Sequence, residues 1–222
     1  MRTKYTKEDL KKALKDKESW IAITFFEKVY TNIALWLANY TSLTPNTITF
    51  INFFIVISSA LMFYMNNFII GGILYLLFYI LDGVDGTVAR LKKISSKYGE
   101  FLDVAFDVLG VFFISISISW SLYEETKSII SFTLAVLFPY TSILDAFLGY
   151  LTREMNKKAL SHSFSSNRYI LVPLQSDFGL ILFTLFGILN IKNPYFYFVV
   201  SLFYFAEIIT SIILKVVMFR KK

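Results

Sequence analysis

The sequence predicts an all-α membrane protein in which six transmembrane helices follow cytoplasmic, interfacial amphipathic helices. Three observations carry this prediction. Hydrophobic residues make up 56% of the 222-residue chain and the mean hydropathy is +0.59, well above the roughly 45–50% apolar content of an ordinary soluble domain. Apolar runs near the roughly 20 residues that a bilayer demands recur between short polar connections. With both termini on the cytoplasmic side, only Lys127 and Lys192 of the 22 Lys and Arg residues fall outside, the asymmetry expected of cytoplasmic loops. The formal charge of +6 therefore reflects topology and calls for no nucleic-acid partner. The chain has no cysteine and one histidine, which excludes disulfides, thiolate chemistry and histidine-rich zinc sites.

Residues 1–45 are expected to form the N-terminal interfacial part and residues 46–222 the transmembrane domain. The first twenty residues are rich in Lys, Glu and Asp, so no cleavable signal is expected there. Thr6 and Asp9 have the spacing of a capping pair, and Leu10, Ala13, Leu14 and Ile21 recur at helical intervals, predicting a short helix on the membrane surface. From Phe25 to Tyr40, the positions Phe25, Val29, Ile33, Trp36, Leu37 and Tyr40 mark an apolar side, opposite Glu27, Lys28, Thr31 and Asn32. This stretch is too short to span and predicts a second interfacial helix.

Thr44-Pro45-Asn46 has the form of a helix start, with Thr44 as cap and Pro45 at the first helical position. Span one runs from Thr47 to Met65 without a charge, and Asn66-Asn67 turns the chain. Span two runs from Phe68 through Gly71-Gly72, its final turns carrying Asp82, Asp85 and Arg90. A basic loop leads to span three, from about Gly99 to Leu122, with Asp103 and Asp107 in its first turns. Glu124-Glu125-Thr126-Lys127 reads as a loop. Span four, from about Ile129 to Leu151, is interrupted by Pro139 and contains Asp145. A polar segment from Thr152 to Arg168 holds Arg153, Lys157, Lys158 and His162. Span five, from about Leu171 to Ile191, and span six, from Tyr195 to about Met218 with Glu207 inside it, complete the set.

Four aspartates stand out in this pattern. Asp82 and Asp85 are three residues apart and Asp103 and Asp107 four apart, so each pair projects from one helix face. Spans two and three form an antiparallel hairpin, which puts all four at the same membrane face, open to the cytoplasm. Carboxylates in membrane helices are costly and usually functional, and an oxygen-only cluster suits a hard divalent cation such as Mg2+ or Mn2+. Asp82, Asp85 and Asp103 are the expected metal ligands, with Asp107 able to share that role. A single intramembrane aspartate is as often a buried hydrogen-bonding or proton-relay group; four at this spacing are not. Asp145 and Glu207 belong to no motif and read as structural polar contacts, and His162 as a solvated loop residue.

The pattern Asp82-x2-Asp85-Gly86-x2-Ala89-Arg90-x8-Gly99-x3-Asp103-x3-Asp107 resembles the signature of the CDP-alcohol phosphotransferases, also called CDP-alcohol phosphatidyltransferases. The six spans, the amphipathic N-terminal helix and the Pro-Asn pair opening span one are also similar to that family. The resemblance implies an enzyme that transfers a substituted phosphoryl group from a CDP-linked donor to the hydroxyl of a small polar alcohol, releasing CMP. It also implies that Asp107 is the general base, that Gly86 and Ala89 lie against the CDP moiety, that Asn46 and Thr49 contact the nucleotide, and that the protein is a homodimer among membrane lipids. Arg90 suits either a phosphate or the locking of an aspartate. Arg153, Lys157 and Arg168 have two readings. Cytoplasmic loops are ordinarily basic, yet an acceptor bearing its own phosphate needs cations near the metal. Expected donors are CDP-diacylglycerol or another CDP-lipid; the alternatives are a soluble CDP-polyol with a polyol-phosphate acceptor and, in a different class, a divalent-cation transporter.

Overall fold

The computed structural model describes residues 4–15, 18–155, 169–170 and 176–220. Its helices are α1 (Lys7–Lys12), α2 (Glu27–Tyr40), α3 (Pro45–Tyr64), α4 (Phe68–Lys92), α5 (Lys97–Thr126), α6 (Ile130–Met155), α7 (Ser176–Ile188) and α8 (Pro194–Arg220). Local chemistry sets many of their ends. At α1 the Asp9 N–H donates to Thr6 Oγ1 at 3.2 Å while the Thr6 N–H donates to Asp9 Oδ2 at 2.9 Å, a reciprocal capping box. Thr44 Oγ1 accepts from the Thr47 N–H at 3.2 Å with Pro45 at the first helical position, as the sequence predicts. Asn66 adopts φ 62° and Asn67 caps α4 through Ile70 N–H at 3.3 Å. Lys93, at φ 55°, ends α4, and Ser96 caps α5 through Gly99 N–H at 3.0 Å.

Four helices are long and apolar enough to cross a membrane: α3, α4, α5 and the Ile130–Leu148 part of α6. The chain is an integral membrane protein. Of the other two expected spans, α7 has 13 described residues and the apolar part of α8 is Pro194–Thr210.

Two local expectations are corrected. Glu124, Glu125 and Thr126 are helical, because α5 continues to Thr126 and the chain turns only at Lys127, φ 52°. Pro139 does not interrupt α6, which runs through it; transmembrane helices tolerate proline where neighbouring groups take up the freed backbone. On α2, Phe25 just before it and Val29, Trp36 and Tyr40 along it are exposed, whereas Tyr30, Thr31, Ala34 and Ala38 are buried. Phe25, Val29, Trp36 and Tyr40 of the expected apolar side therefore face away from the protein, while Ile33 and Leu37 of that side pack inward. Lipid is as apolar as the core, so large residues can point outward while small ones let helices approach. A single π-turn over Ala22–Phe26 leads into α2.

Helix α3 packs against both α4 and α5, α4 also touches α2 and α7, and α6 bridges α5 to α8. The main core joins Val56 and Phe63 of α3, Phe68, Tyr75 and Phe78 of α4, Ile114 and Ile118 of α5, and aromatic residues of α6, α7 and α8. Helices α4 and α7 meet at glycine: a Cβ on Gly72 would lie 2.7 Å from Ile188 N and 2.8 Å from Thr184 O. A smaller cluster of Tyr30, Ala34, Ile48, Val84 and Val88 fixes α2 beside the aspartate-bearing turns of α4. Glu18–Ser19 pairs in parallel with Tyr169–Ile170.

Candidate active site

The hairpin of α4 and α5, joined by residues 93–96, brings the aspartates together. Ligand oxygens of Asp82, Asp85 and Asp103 all lie within 4.8 Å of one another, with Asp85 buried and the other two partly buried. Asp82 on α4 and Asp103 on α5 are thus neighbours across the hairpin. Carboxylates packed this closely repel unless a cation or proton lies between them, and their oxygen-only donor set fits a hard divalent ion. Asp107, one turn further along α5, is partly buried and stands outside this group of three. It acts electrostatically on Asp82 and on the Tyr75 hydroxyl.

Helix α3 supplies the supporting groups. Thr49 Oγ1 donates to Asp85 Oδ2 at 2.6 Å and also lies 3.1 Å from Pro45 O, so its hydroxyl orients one carboxylate of the cluster. Asn46 sits against the first turn of α5: a Cβ on Gly99 would approach Asn46 Oδ1 to 3.0 Å. One turn beyond Thr49, Asn52 is 3% exposed and its Oδ1 has no hydrogen-bond partner among the described residues. Asn52 is not among the residues expected from sequence, although Asn46, Thr49 and Asn52 recur at helical spacing.

The Arg90 guanidinium crosses Gly86, where an added Cβ would lie 3.2 Å from Arg90 Nη1. Arg90 Nε donates to Ala13 O at 2.7 Å and Nη2 to Thr87 Oγ1 at 3.2 Å. Its bonds thus run to the end of α1 and to its own helix, in addition to the phosphate or aspartate roles that its residue type suggests. Gly83 faces Tyr30, whose ring a Cβ would meet at 2.7 Å. Ala89 is partly buried on the same helix. Of the basic residues, Arg153 falls in the last turn of α6, while Lys157, Lys158, His162 and Arg168 lie outside the described residues.

A further cation comes from the N-terminal segment. Lys15 Nζ lies 3.2 Å from Glu18 Oε2 and acts electrostatically on Asp82, Asp85 and Asp103. Desolvation pulls the Lys15 ammonium down, but Glu18 and then Asp82 outweigh it and hold its pKa above the usual lysine value. It is a cation at any physiological pH.

Residues 42–220 match the family model described as CDP-alcohol phosphatidyltransferase. The archaetidylinositol phosphate synthase of Pyrococcus horikoshii is 40% identical over 68 residues, 31% of this chain and 36% of that protein. The bifunctional IPC transferase and DIPP synthase of Archaeoglobus fulgidus is 30% identical over 148 residues, 62% of this chain and 29% of that protein. The chain thus spans only a minor part of the length of these curated relatives. Among solved structures, Mycobacterium tuberculosis phosphatidylinositol phosphate synthase with CDP-DAG bound is similar at TM-score 0.59 and 17% sequence identity, over 82% of this chain and 91% of that one. At that identity the likeness is one of fold.

Proposed function

Because the chain belongs to the CDP-alcohol phosphatidyltransferase family, we propose that it transfers a substituted phosphoryl group from a CDP-lipid to the hydroxyl of a polar alcohol, releasing CMP, in phospholipid synthesis. The observation that carries this reading is the meeting of Asp82, Asp85 and Asp103 within 4.8 Å beside Gly86 and Arg90, at the end of a transmembrane hairpin. Asp82, Asp85 and Asp103 would hold Mg2+ or Mn2+; when bound, such an ion neutralises charge on the diphosphate oxygens and stabilises the departing phosphate. The nucleotide lies along Gly86 and Ala89, with Asn46 and Thr49 beside it. Asp107 accepts the proton of the acceptor hydroxyl. The acceptor oxygen bonds to the lipid-bearing phosphorus as that phosphorus loses its bond to the bridging oxygen, which leaves with CMP.

Relatives named as inositol phosphate lipid synthases point to a phosphorylated polyol, inositol phosphate, as the acceptor. Arg153, Lys157 and Arg168 are the cations proposed to meet its phosphate. The same reading takes α7 and α8 as further spans, making six, places the site and both termini at the cytoplasmic face, and assembles the chain as a homodimer.

The test incubates purified protein with CDP-diacylglycerol or its archaeal ether-lipid counterpart, Mg2+ or Mn2+, and a panel of serine, glycerol-3-phosphate, inositol and inositol-1-phosphate. CMP release dependent on inositol-1-phosphate is expected. Asp107→Asn should abolish that release while sparing CDP and metal binding. Proteoliposomes that import Mn2+, with no CMP formed from any pair, would instead identify a cation transporter.

A further inference from the structure

Residues before 42 lie outside the family match, yet they reach the aspartate cluster. Helix α1 is docked by a small core of its own, in which Leu10 and Ala13 pack against Ala38 of α2 and Leu91 of α4. Two bonds in opposite directions, Tyr5 N–H to Asn39 Oδ1 at 2.8 Å and Asn39 Nδ2 to Tyr5 O at 3.1 Å, hold the start of this segment. Its end is pinned where Arg90 Nε meets Ala13 O at 2.7 Å. Two residues later, within roughly 7 Å of chain, comes Lys15, whose side chain is 48% exposed. Past Lys15 the segment is fastened again, because Glu18–Ser19 pairs with Tyr169–Ile170. Lys15 therefore belongs to a strap anchored at Ala13 before it and at Glu18–Ser19 after it, near enough to Asp82, Asp85 and Asp103 to act on their charge.

There the ammonium neutralises part of the negative charge of Asp82, Asp85 and Asp103, and Glu18 holds it at 3.2 Å. A divalent ion among the three carboxylates would take over that neutralisation. Lys15 and Arg90, which both interact electrostatically with Asp82, would then be two cations beside the ion that can meet an anionic substrate group. We propose that Lys15 is a phosphate-contacting residue of this active site, a cation supplied by the N-terminal segment to grip a phosphate of the bound substrates alongside Arg90. The phosphate belongs either to the CDP diphosphate or to a phosphorylated acceptor. Lys15 faces the aspartates assigned to the first, and its strap pairs with Tyr169, which follows the basic segment assigned to the second.

This proposal rests on the transferase reading above. The test uses the full chain in lipid nanodiscs with Mg2+, comparing Lys15→Met and Lys15→Arg with wild type. Calorimetry gives the Kd for CDP, and steady-state CMP release gives KM for the CDP-lipid and for inositol-1-phosphate. Lys15→Met should weaken one phosphate ligand by about tenfold, the order expected for loss of one charge-assisted hydrogen bond. Lys15→Arg should restore most of it. A weaker CDP Kd and higher donor KM assign Lys15 to the diphosphate; a higher acceptor KM alone assigns it to the acceptor phosphate. Mn2+ binding without nucleotide should be no weaker in Lys15→Met. The proposal is overturned if CDP Kd and both KM values match wild type, or if Lys15→Arg is as impaired as Lys15→Met. Wild type that binds no CDP would overturn the transferase reading itself.

Discussion

Thr49→Val removes one hydroxyl from the base of the carboxylate cluster and keeps the shape of the side chain. Thr49 is 7% exposed and Asp85 4% exposed, so water has little room to replace the bond of 2.6 Å between them. A hydrogen bond to a charged group contributes about 1.5–3 kcal/mol, or roughly tenfold to a hundredfold in an equilibrium constant. Loss of a group that orients a metal ligand typically costs about 10–100-fold in metal affinity. The two routes agree because both describe the work of aiming a carboxylate before an ion arrives. Mn2+ binding to the detergent-solubilised protein, followed by electron paramagnetic resonance, should therefore weaken by about tenfold or more in Thr49→Val. Thr49→Ser should stay near wild type, since it retains the donor. Wild-type Mn2+ affinity in Thr49→Val would show that Asp85 is positioned by its own helix alone and that α3 has no part in aiming it.

Two further predictions concern the scaffold. Gly72→Ala should destabilise the protein more than Gly71→Ala. The first puts a Cβ against the backbone of α7 at 2.7 Å and the second against the Phe63 ring at 2.9 Å, and a ring can turn where a helix backbone must shift; overpacking costs about 1–3 kcal/mol. Thermal unfolding of the two variants in one detergent compares them directly, and equal melting temperatures would refute the ranking. Thr6→Ala should loosen α1 and so the docking of the strap. The Thr6 N–H and then its hydroxyl hold the Asp9 carboxyl below its usual pKa. A lowered folded pKa stabilises above the unfolded value and is lost as pH falls through the folded one, so wild-type α1 should lose protection below about pH 4. Hydrogen exchange over residues 7–12 tests both statements, and pH-independent protection would contradict the second.

Features governed by neighbours along the chain are legible in the sequence. Thr6 with Asp9, Thr44 ahead of Pro45, and Asn67 act on backbone groups within three or four residues, so the starts of α1, α3 and α4 follow from residue type alone. The spacing of Asp82, Asp85, Asp103 and Asp107 likewise assigns each pair to one helix face. The inward face of α2 is only partly legible in this way: the sequence groups Phe25, Val29, Trp36 and Tyr40 with Ile33 and Leu37, yet where the surroundings are as apolar as the core it does not say that the last two pack inward. Only the way Ala34 and Ala38 fit against their neighbours decides which side turns inward. Pro139 and Glu124–Thr126 mislead for a related reason: helix continuation there depends on neighbouring helices as well as on local propensity.

The chain by itself thus determined a membrane-embedded helical hairpin bearing four carboxylates with a preference for hard cations. Tertiary structure decided which three of them meet, that Thr49 aims Asp85 from 36 residues away, and that Arg90 binds Ala13 across a separation of 77. Helix periodicity encodes a direction around an axis, but a distance between two helices depends on small residues such as Gly72 and Gly83 and on the side chains they admit. For that reason the carboxylate pattern is written along the sequence, while the place of Lys15 is set by the docking of α1 on α2 and α4 and by the pairing of Glu18–Ser19 with Tyr169–Ile170.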